Sequence, residues 1–372
     1  MQVLEKRREK IYDWMARENI AMLMIEDCEG RRDPGLRWLS GQPSDALLFL
    51  SVDRKNMLVP WDINMALLYS SCDTVIPYSE FERRPIKALK GAADFFKIPQ
   101  GSKIEIPERI PYPLFLKYVE EVSDFDIICR DNGAGKETER GRAVKDEDEI
   151  QIYKKLSAIT CDITAQIRKN IVSGKIKTEI DAALFIEAEA RKRGCEGTGF
   201  DTLSAGPGRS FGIHAFPAYT SGVFAAPGLS ILDYGIKYSG YTSDVTLTFA
   251  REPLSKQQEK MITLVEKAYS LALSLTENGA SCRTIAAAVD AFFSKSKKTM
   301  PHSLGHGIGL EAHEAPSVRN RSDNEWILEP GMIITLEPGL YDPVHGGCRL
   351  ENDVLITDEG AEVLTNSQIF RL

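Results

Sequence analysis

Hydrophobic and polar positions recur along this chain with two different periods, and the changes of period mark its organisation. Over the first 130 residues a charged amphipathic opening is followed by the apolar runs IAMLMIE and DALLFLSV, a helical pattern near IKALKGAADFF, and the short runs KIEI and FDIICR. Short apolar runs interleaved with helical stretches predict a small α/β domain. DNGAGKETERG, residues 131–141, carries glycine and charge without a large apolar residue. It reads as the body of an interdomain linker over 131–144.

From residue 145 the pattern is helical again. DEDEIQIYKKLSAITCDITAQI sets acids at a helix N-terminus, where the macrodipole favours them, and aligns Ile152, Leu156, Ile159, Ile163 and Ile167 on one stripe. A second helix is expected from about Thr178, with Asp181 as its cap partner and Gly194 as its stop. Strand-rich sequence follows, including GLSILDYGIKYSGYTSDVTLTF. The order then recurs: a helix opened by Ser255 and Gln258 and closed at Asn278-Gly279, a shorter helix around TIAAAVDAFF, and strands once more. Two helices followed by strands, written twice, predict a domain of two related halves with a site where their sheets meet.

Composition narrows the functional classes. A chain of 372 residues with 43% hydrophobic and 27% charged positions can bury two cores, so extended disorder is not expected. The net charge of -8 disfavours nucleic acid and anionic membrane as partners. The 7 cysteines are scattered without a CxxC pair, and the opening MQVLEKRREK lacks the apolar run of a signal peptide. A cytoplasmic protein is the expectation.

Candidate chemistry concentrates in HSLGHGIGLEAHEAP, residues 302–316, which holds His302, His306 and His313 although the chain has only 5 histidines. Gly305, Gly307 and Gly309 make a helix there unfavourable, so an extended or looped backbone should present the imidazoles. Asp233 and Asp244 lie on two strand-like runs joined by YSG. If Ser239-Gly240 is a two-residue hairpin turn, Asp244 stands opposite residue 235 and both acids point to one face. Glu337 ends an apolar strand before Pro-Gly, and Glu351 opens another. Buried carboxylates without partners are costly, and two divalent metals are the simplest compensation for four of them.

With these motifs in view, the chain resembles the pita-bread metallopeptidases, in the branch of Xaa-Pro aminopeptidases and Xaa-Pro dipeptidases (prolidases). DYGIKYSGYTSDVTLTF, HSLGHGIGLEAHE, LEPGLY and GGCRLEND occur in that family's order and spacing. The resemblance implies an α+β architecture: an N-terminal α/β creatinase-like domain over 1–130, the linker, and a pita-bread (creatinase/aminopeptidase-like) domain with pseudo-two-fold halves over 145–372. It implies that Asp233 chelates one metal, that Asp244 and Glu351 bridge two, and that His306 and Glu337 complete the ligand set of the second metal. Oxygen-dominated ligation with one imidazole suits manganese first, with cobalt, iron or zinc as alternatives. A hydroxide between the ions would be the nucleophile and Glu337 the proton shuttle.

The same resemblance implies that His302 and His313 steady the oxyanion, that His214 in SFGIHAFPA lines the substrate pocket, and that Arg349 and Tyr341 support the ligands from behind. The implied substrate is a short peptide with proline in second place, and the implied assembly a homodimer in which Trp61 is a candidate contact. An Xaa-Pro bond has no N–H, so hydrolysis by a metal-activated water suits it. Three positions depart from the commoner pattern: Leu247 where TRTF has arginine, Ser317 where some prolidases carry an arginine, and LVPWDINMA in the N-terminal domain. Two alternatives stand beside the peptidase: an amidohydrolase of the same fold acting on a small ectoine-type amide, and a binding module that has lost catalysis.

Overall fold

A computed structural model describes residues 2–372. The chain divides after Arg142 into two compact units. In the first, strands form a six-stranded sheet in the order Thr74–Val75, Lys55–Pro60, Ala46–Ser51, Met22–Asp27, Lys103–Glu105 and Asp126–Ile128. Met22–Asp27 pairs antiparallel with Ala46–Ser51 and parallel with Lys103–Glu105. Met22, Met24, Leu47, Phe49, Met57 and Val59 share one core with Leu89 and Phe96 of the helix Pro85–Phe96, so the apolar runs are strands covered by helix.

The segment expected to be a linker is largely helical, from Ala134 to Ala143. The Ala134 N–H donates to the Glu105 carboxylate at 2.6 Å, and Gly133 leaves room for that carboxylate. An acid at the first turn stabilises a helix whose Glu, Lys and Arg are themselves good helix formers. The polar composition excluded a core strand, not a helix.

The second unit, from Ala143 to Leu372, repeats helix, helix and strands. Glu147–Val172 starts with a capping box between Asp146 and Glu149, and Glu179–Lys192 with one between Thr178 and Asp181. Lys256–Ser274 starts with the box formed by Ser255 and Gln258. It stops at Ser274, short of the expected Asn278-Gly279, and the Thr276 hydroxyl bonds the Ala272 carbonyl in its last turn. Cys282–Lys295 is the fourth helix.

The two larger sheets of this unit come from its two strand groups. One runs Ile369–Arg371, Val245–Arg251, Gly228–Tyr234, Leu203–Ala205, and the other Glu314–Val318, Gly305–Gly307, Ile333–Leu336, Asn352–Thr357, Gly360–Val363. They meet where Thr246 bridges Glu351. Alternation along Val245–Arg251 decides what each face does: Val245, Leu247 and Phe249 join the core beneath the first helix pair, while Thr246 and Thr248 turn the other way. Among the described residues no helix is long and apolar enough to cross a membrane.

Candidate metal centre

Ser239 and Gly240 both have positive φ, 51° and 87°, as a two-residue hairpin turn requires. The register that follows sets Thr246 opposite Asp233 and Val245 opposite Tyr234, which puts Asp244 across from Gly235. Asp233 and Asp244 therefore share a face, diagonally placed, as expected. Glu351 arrives from the other sheet, held by the Thr246 hydroxyl at 2.7 Å and by its own N–H to the Thr246 carbonyl.

His306 comes from the short strand Gly305–Gly307, wedged between Glu314–Val318 and Ile333–Leu336. The flanking glycines answer to this squeeze: a Cβ on Gly305 would lie 1.9 Å from the Thr335 carbonyl, and one on Gly307 2.0 Å from that of Ala315. The His306 Nδ1–H donates to the Gly307 carbonyl at 3.1 Å, since a carbonyl only accepts. Its Nε2 lone pair thus faces Asp244 at 3.7 Å and Glu337 at 3.6 Å. Burial, with His313 beside it, pushes the imidazole down to about 3, so these contacts are not ion pairs but a neutral donor among carboxylates.

The donor atoms form three overlapping triads: Asp233, Asp244 and Glu351; His306, Glu337 and Glu351; and Asp244, His306 and His313. Within each, one atom per residue lies within 4.8 Å of the others. Burial, then the charges of Glu351 and Asp233, drive the Asp244 carboxyl well above its ordinary range. Burial and Glu351 do the same to Glu337, and burial with Asp233 lifts Glu351 to about 7. Arg349 is the guanidinium among them: Nη2 donates to Asp233 Oδ2 at 2.6 Å, Nε to Thr246 at 2.9 Å, and Nη1 to the Tyr341 hydroxyl at 2.7 Å and the Ile213 carbonyl at 3.2 Å. One guanidinium does not balance four acids. Asp233 Oδ1 and Asp244 Oδ1 are buried with no hydrogen-bond partner among the described residues. Such orphaned acceptors, ringed by carboxylate oxygens and the imidazoles of His306 and His313, fit hard or borderline divalent cations.

The remaining expected residues converge on the same place with differing roles. His302 Nδ1–H donates to the Ser303 carbonyl at 2.8 Å, and Nε2 accepts from the Tyr341 hydroxyl at 3.0 Å, which itself accepts from Arg349. Burial and the charge of Arg349 hold this imidazole down to about 4, so it is neutral with both nitrogens engaged. His313 packs against His306 with ring centroids 4.2 Å apart, and burial lowers its pKa. His214 lies near enough to influence the charge of both His302 and His313.

Leu247, the first departure, is fully buried on the far side of its strand from Asp233 and Glu351. Ser317 pairs with His306 across the strands. In the first unit Trp61 is 42% exposed and stacks on Tyr78 at 4.1 Å. Two functional neighbours escaped the sequence reading. Asp353, wholly buried, accepts the backbone N–H of Asp244 at 3.3 Å, and Thr246 holds Glu351. An acid inside the alternating strand ENDVLIT was the signal for the first.

The pattern that defines metallopeptidase family M24 matches residues 151–358. An uncharacterized peptidase of Methanocaldococcus jannaschii is 32% identical over 76% of this chain and 77% of its own. A Xaa-Pro dipeptidase of Pyrococcus horikoshii is 27% identical with 99% of each chain aligned. The solved X-Pro aminopeptidase from Thermotoga maritima superposes with a TM-score of 0.83 at 26% identity, over 98% of this chain and 99% of that one. The Xaa-Pro dipeptidase from Bacillus anthracis superposes at 0.86 and 24% identity, over 99% of this chain and 100% of that one. The likenesses bear out the expected α+β class with a pita-bread unit.

Proposed function

The chain belongs to metallopeptidase family M24, in its Xaa-Pro peptidase branch, and from that premise we propose that it hydrolyses the bond before proline at the N-terminus of short peptides or dipeptides. The observation that carries the proposal is the overlap of the three donor triads around two orphaned carboxylate oxygens. Asp233, Asp244, His306, Glu337 and Glu351 would hold two divalent cations, manganese first among them. When bound, such a pair acidifies the attacking water and polarises the scissile carbonyl.

The side chains supply the rest. Arg349 orients Asp233, and Thr246 does the same for Glu351. Glu337, ionised once it ligates the cations, takes the proton released as water adds to the carbonyl carbon and passes it to the departing proline nitrogen. His313 donates an N–H to the oxyanion that forms. His302, with both nitrogens engaged, braces Tyr341 and the wall of the site rather than donating to substrate. His214 lines the pocket for the peptide.

Trp61, Met65, Leu67, Leu68 and Tyr69 expose apolar surface on the first unit, which supports a homodimer. The 7 cysteines are all unpaired, in keeping with a reducing cytoplasm. The test is a panel of Ala-Pro, Ala-Pro-Ala, Met-Ala-Ala and small N-acyl amides assayed with manganese and with chelator. Cleavage of Ala-Pro alone makes it a dipeptidase, and cleavage of the tripeptide an aminopeptidase. Activity on neither proline substrate defeats the reading, and turnover of an N-acyl amide would favour the ectoine-type alternative.

A further inference from the structure

Residues 206–222 leave the Leu203–Ala205 strand, pass through His214 and Phe216, and return to within reach of their start. The neck is narrow: a Cβ on Gly206 would lie 2.2 Å from the Val223 carbonyl. Between its two sides sits the carboxylate of Glu179, from the first turn of the helix Glu179–Lys192 and only 1% exposed. Oε1 accepts the Gly206 N–H at 2.8 Å, and Oε2 accepts both the N–H and the hydroxyl of Thr220, at 2.8 and 2.6 Å. Arg209 Nε approaches Oε1 at 3.3 Å. The backbone of the same helix turn adds bonds from Glu179 N–H to the Gly222 carbonyl and from Ile180 N–H to that of Thr220.

The crest of the loop is fastened separately. Ser210 donates to the Leu229 carbonyl at 2.6 Å and accepts from the Gly347 N–H at 3.0 Å, and the Ile213 carbonyl accepts from Arg349 at 3.2 Å. Beyond these ties the crest has little cover: Phe216 is 95% exposed and Phe211 43%. The side that bears His214 is held by the Arg349 tether at one end and the Glu179 clamp at the other, and between them by Arg209, which donates to the Pro217 carbonyl, and by the Ser204 N–H, which donates to that of Ala218 at 2.9 Å.

We propose that Glu179 is a positioning residue for the peptide: by closing the neck of the 206–222 loop it sets where His214 and the exposed Phe216 meet substrate. It touches neither the donor triads nor the reacting atoms, so its effect passes through the loop alone. The proposal rests on the peptidase reading for its kinetic arm and on the loop's own hydrogen bonds for its structural arm. A buried acid that accepts several N–H and O–H groups is expensive to remove, because each donor is left unsatisfied.

The experiment compares wild type with Glu179→Ala, Glu179→Gln and Thr220→Val by amide hydrogen exchange, manganese titration and steady-state kinetics on Ala-Pro and Ala-Pro-Ala. Expected for Glu179→Ala is exchange about tenfold faster within 206–222, with the helices Glu147–Val172 and Lys256–Ser274 unchanged. Manganese affinity should stay at the wild-type value, while KM rises about tenfold and kcat stays within about threefold. Glu179→Gln keeps one accepting oxygen and should recover part of the KM. Thr220→Val, which removes one hydroxyl bond, should move exchange and KM in the same direction by less, and it reads the clamp even if Glu179→Ala does not fold. Unchanged exchange in the loop, or kcat and manganese affinity falling by as much as KM rises, overturns the proposal. Should wild type cleave neither proline peptide, the peptidase reading fails, and the exchange arm still decides the clamp.

Discussion

Arg349 reaches one oxygen of Asp233 at 2.6 Å and leaves the other, Oδ1, buried with no hydrogen-bond partner among the described residues. The carboxylate is thereby aimed and half unused, which is what a metal ligand with an orienting partner requires. Arg349 also carries the Tyr341 hydroxyl, and through it His302. A lysine has one compact charge where the guanidinium serves Asp233, Thr246, Tyr341 and Ile213 in one plane. Arg349→Lys should therefore lose about 10- to 100-fold in manganese affinity and a similar factor in kcat. Calorimetric titration with manganese checks this, and near-native affinity in the variant would refute it.

Asp244→Ala and His306→Ala should each abolish hydrolysis while the far- and near-ultraviolet circular dichroism stays native. Asp244 belongs to two of the donor triads and carries a carboxyl driven far up by burial and neighbouring acids. Its removal relieves repulsion in the chelated protein, so Asp244→Asn should melt at or above the wild-type temperature when both are held in chelator. With manganese present the order should reverse, because only wild type gains the full binding energy. Paired melting curves decide it.

The pH dependence follows from the same charges. Glu351 has its pKa raised from 4.5 to about 7 by burial and Asp233, and Asp244 and Glu337 are raised further. A raised acid binds more protons in the folded than in the unfolded chain, so stability is fully present below the unfolded pKa and falls as pH rises through the folded one. In chelator the melting temperature should thus drop steadily between about pH 4.5 and 7, the window spanned by Glu351. Manganese should flatten the slope by pairing the carboxylates, so that the gain on adding metal grows with pH. A metal-induced shift independent of pH would contradict the assignment of these acids as donors.

His313 and His302 should separate kinetically. His313→Ala, removing the N–H assigned to the oxyanion, should cost about 10² to 10³ in kcat with little change in KM. His302→Ala should cost less, and Tyr341→Phe should resemble it, since both break one chain of hydrogen bonds from Arg349. A double variant of His302 and Tyr341 should be no worse than the poorer single one. Additive losses would return His302 to a direct role on substrate.

Much of this site was legible before any coordinates, and the reason is range. The capping boxes at Asp146 and Glu149, Thr178 and Asp181, and Ser255 and Gln258 each close within one helical turn. Ser239-Gly240 dictates a tight turn, and the strand period then carries Asp233 and Asp244 to one face. The glycines beside His306 already excluded a helix. The family came from motif order, which the matches across the chain support.

Other features depend on groups that meet only when the sheets pack. Glu105 caps the helix at Ala134 from 29 residues upstream, so the intervening polar sequence read as a linker. Arg349 finds Asp233 across 116 residues, Asp353 backs Asp244 across 109, and Glu179 joins the two sides of the His214 loop across 27 and 41. The tautomer of His302 is set by the Ser303 carbonyl and Tyr341 together. The sequence by itself determined the elements, their caps and the donor types, because dihedral preference, side-chain period and capping act over a few residues. Which donor atom is left without a partner and which is held by a neighbour was decided by tertiary packing, since burial and hydrogen bonding are properties of surroundings assembled from distant parts of the chain.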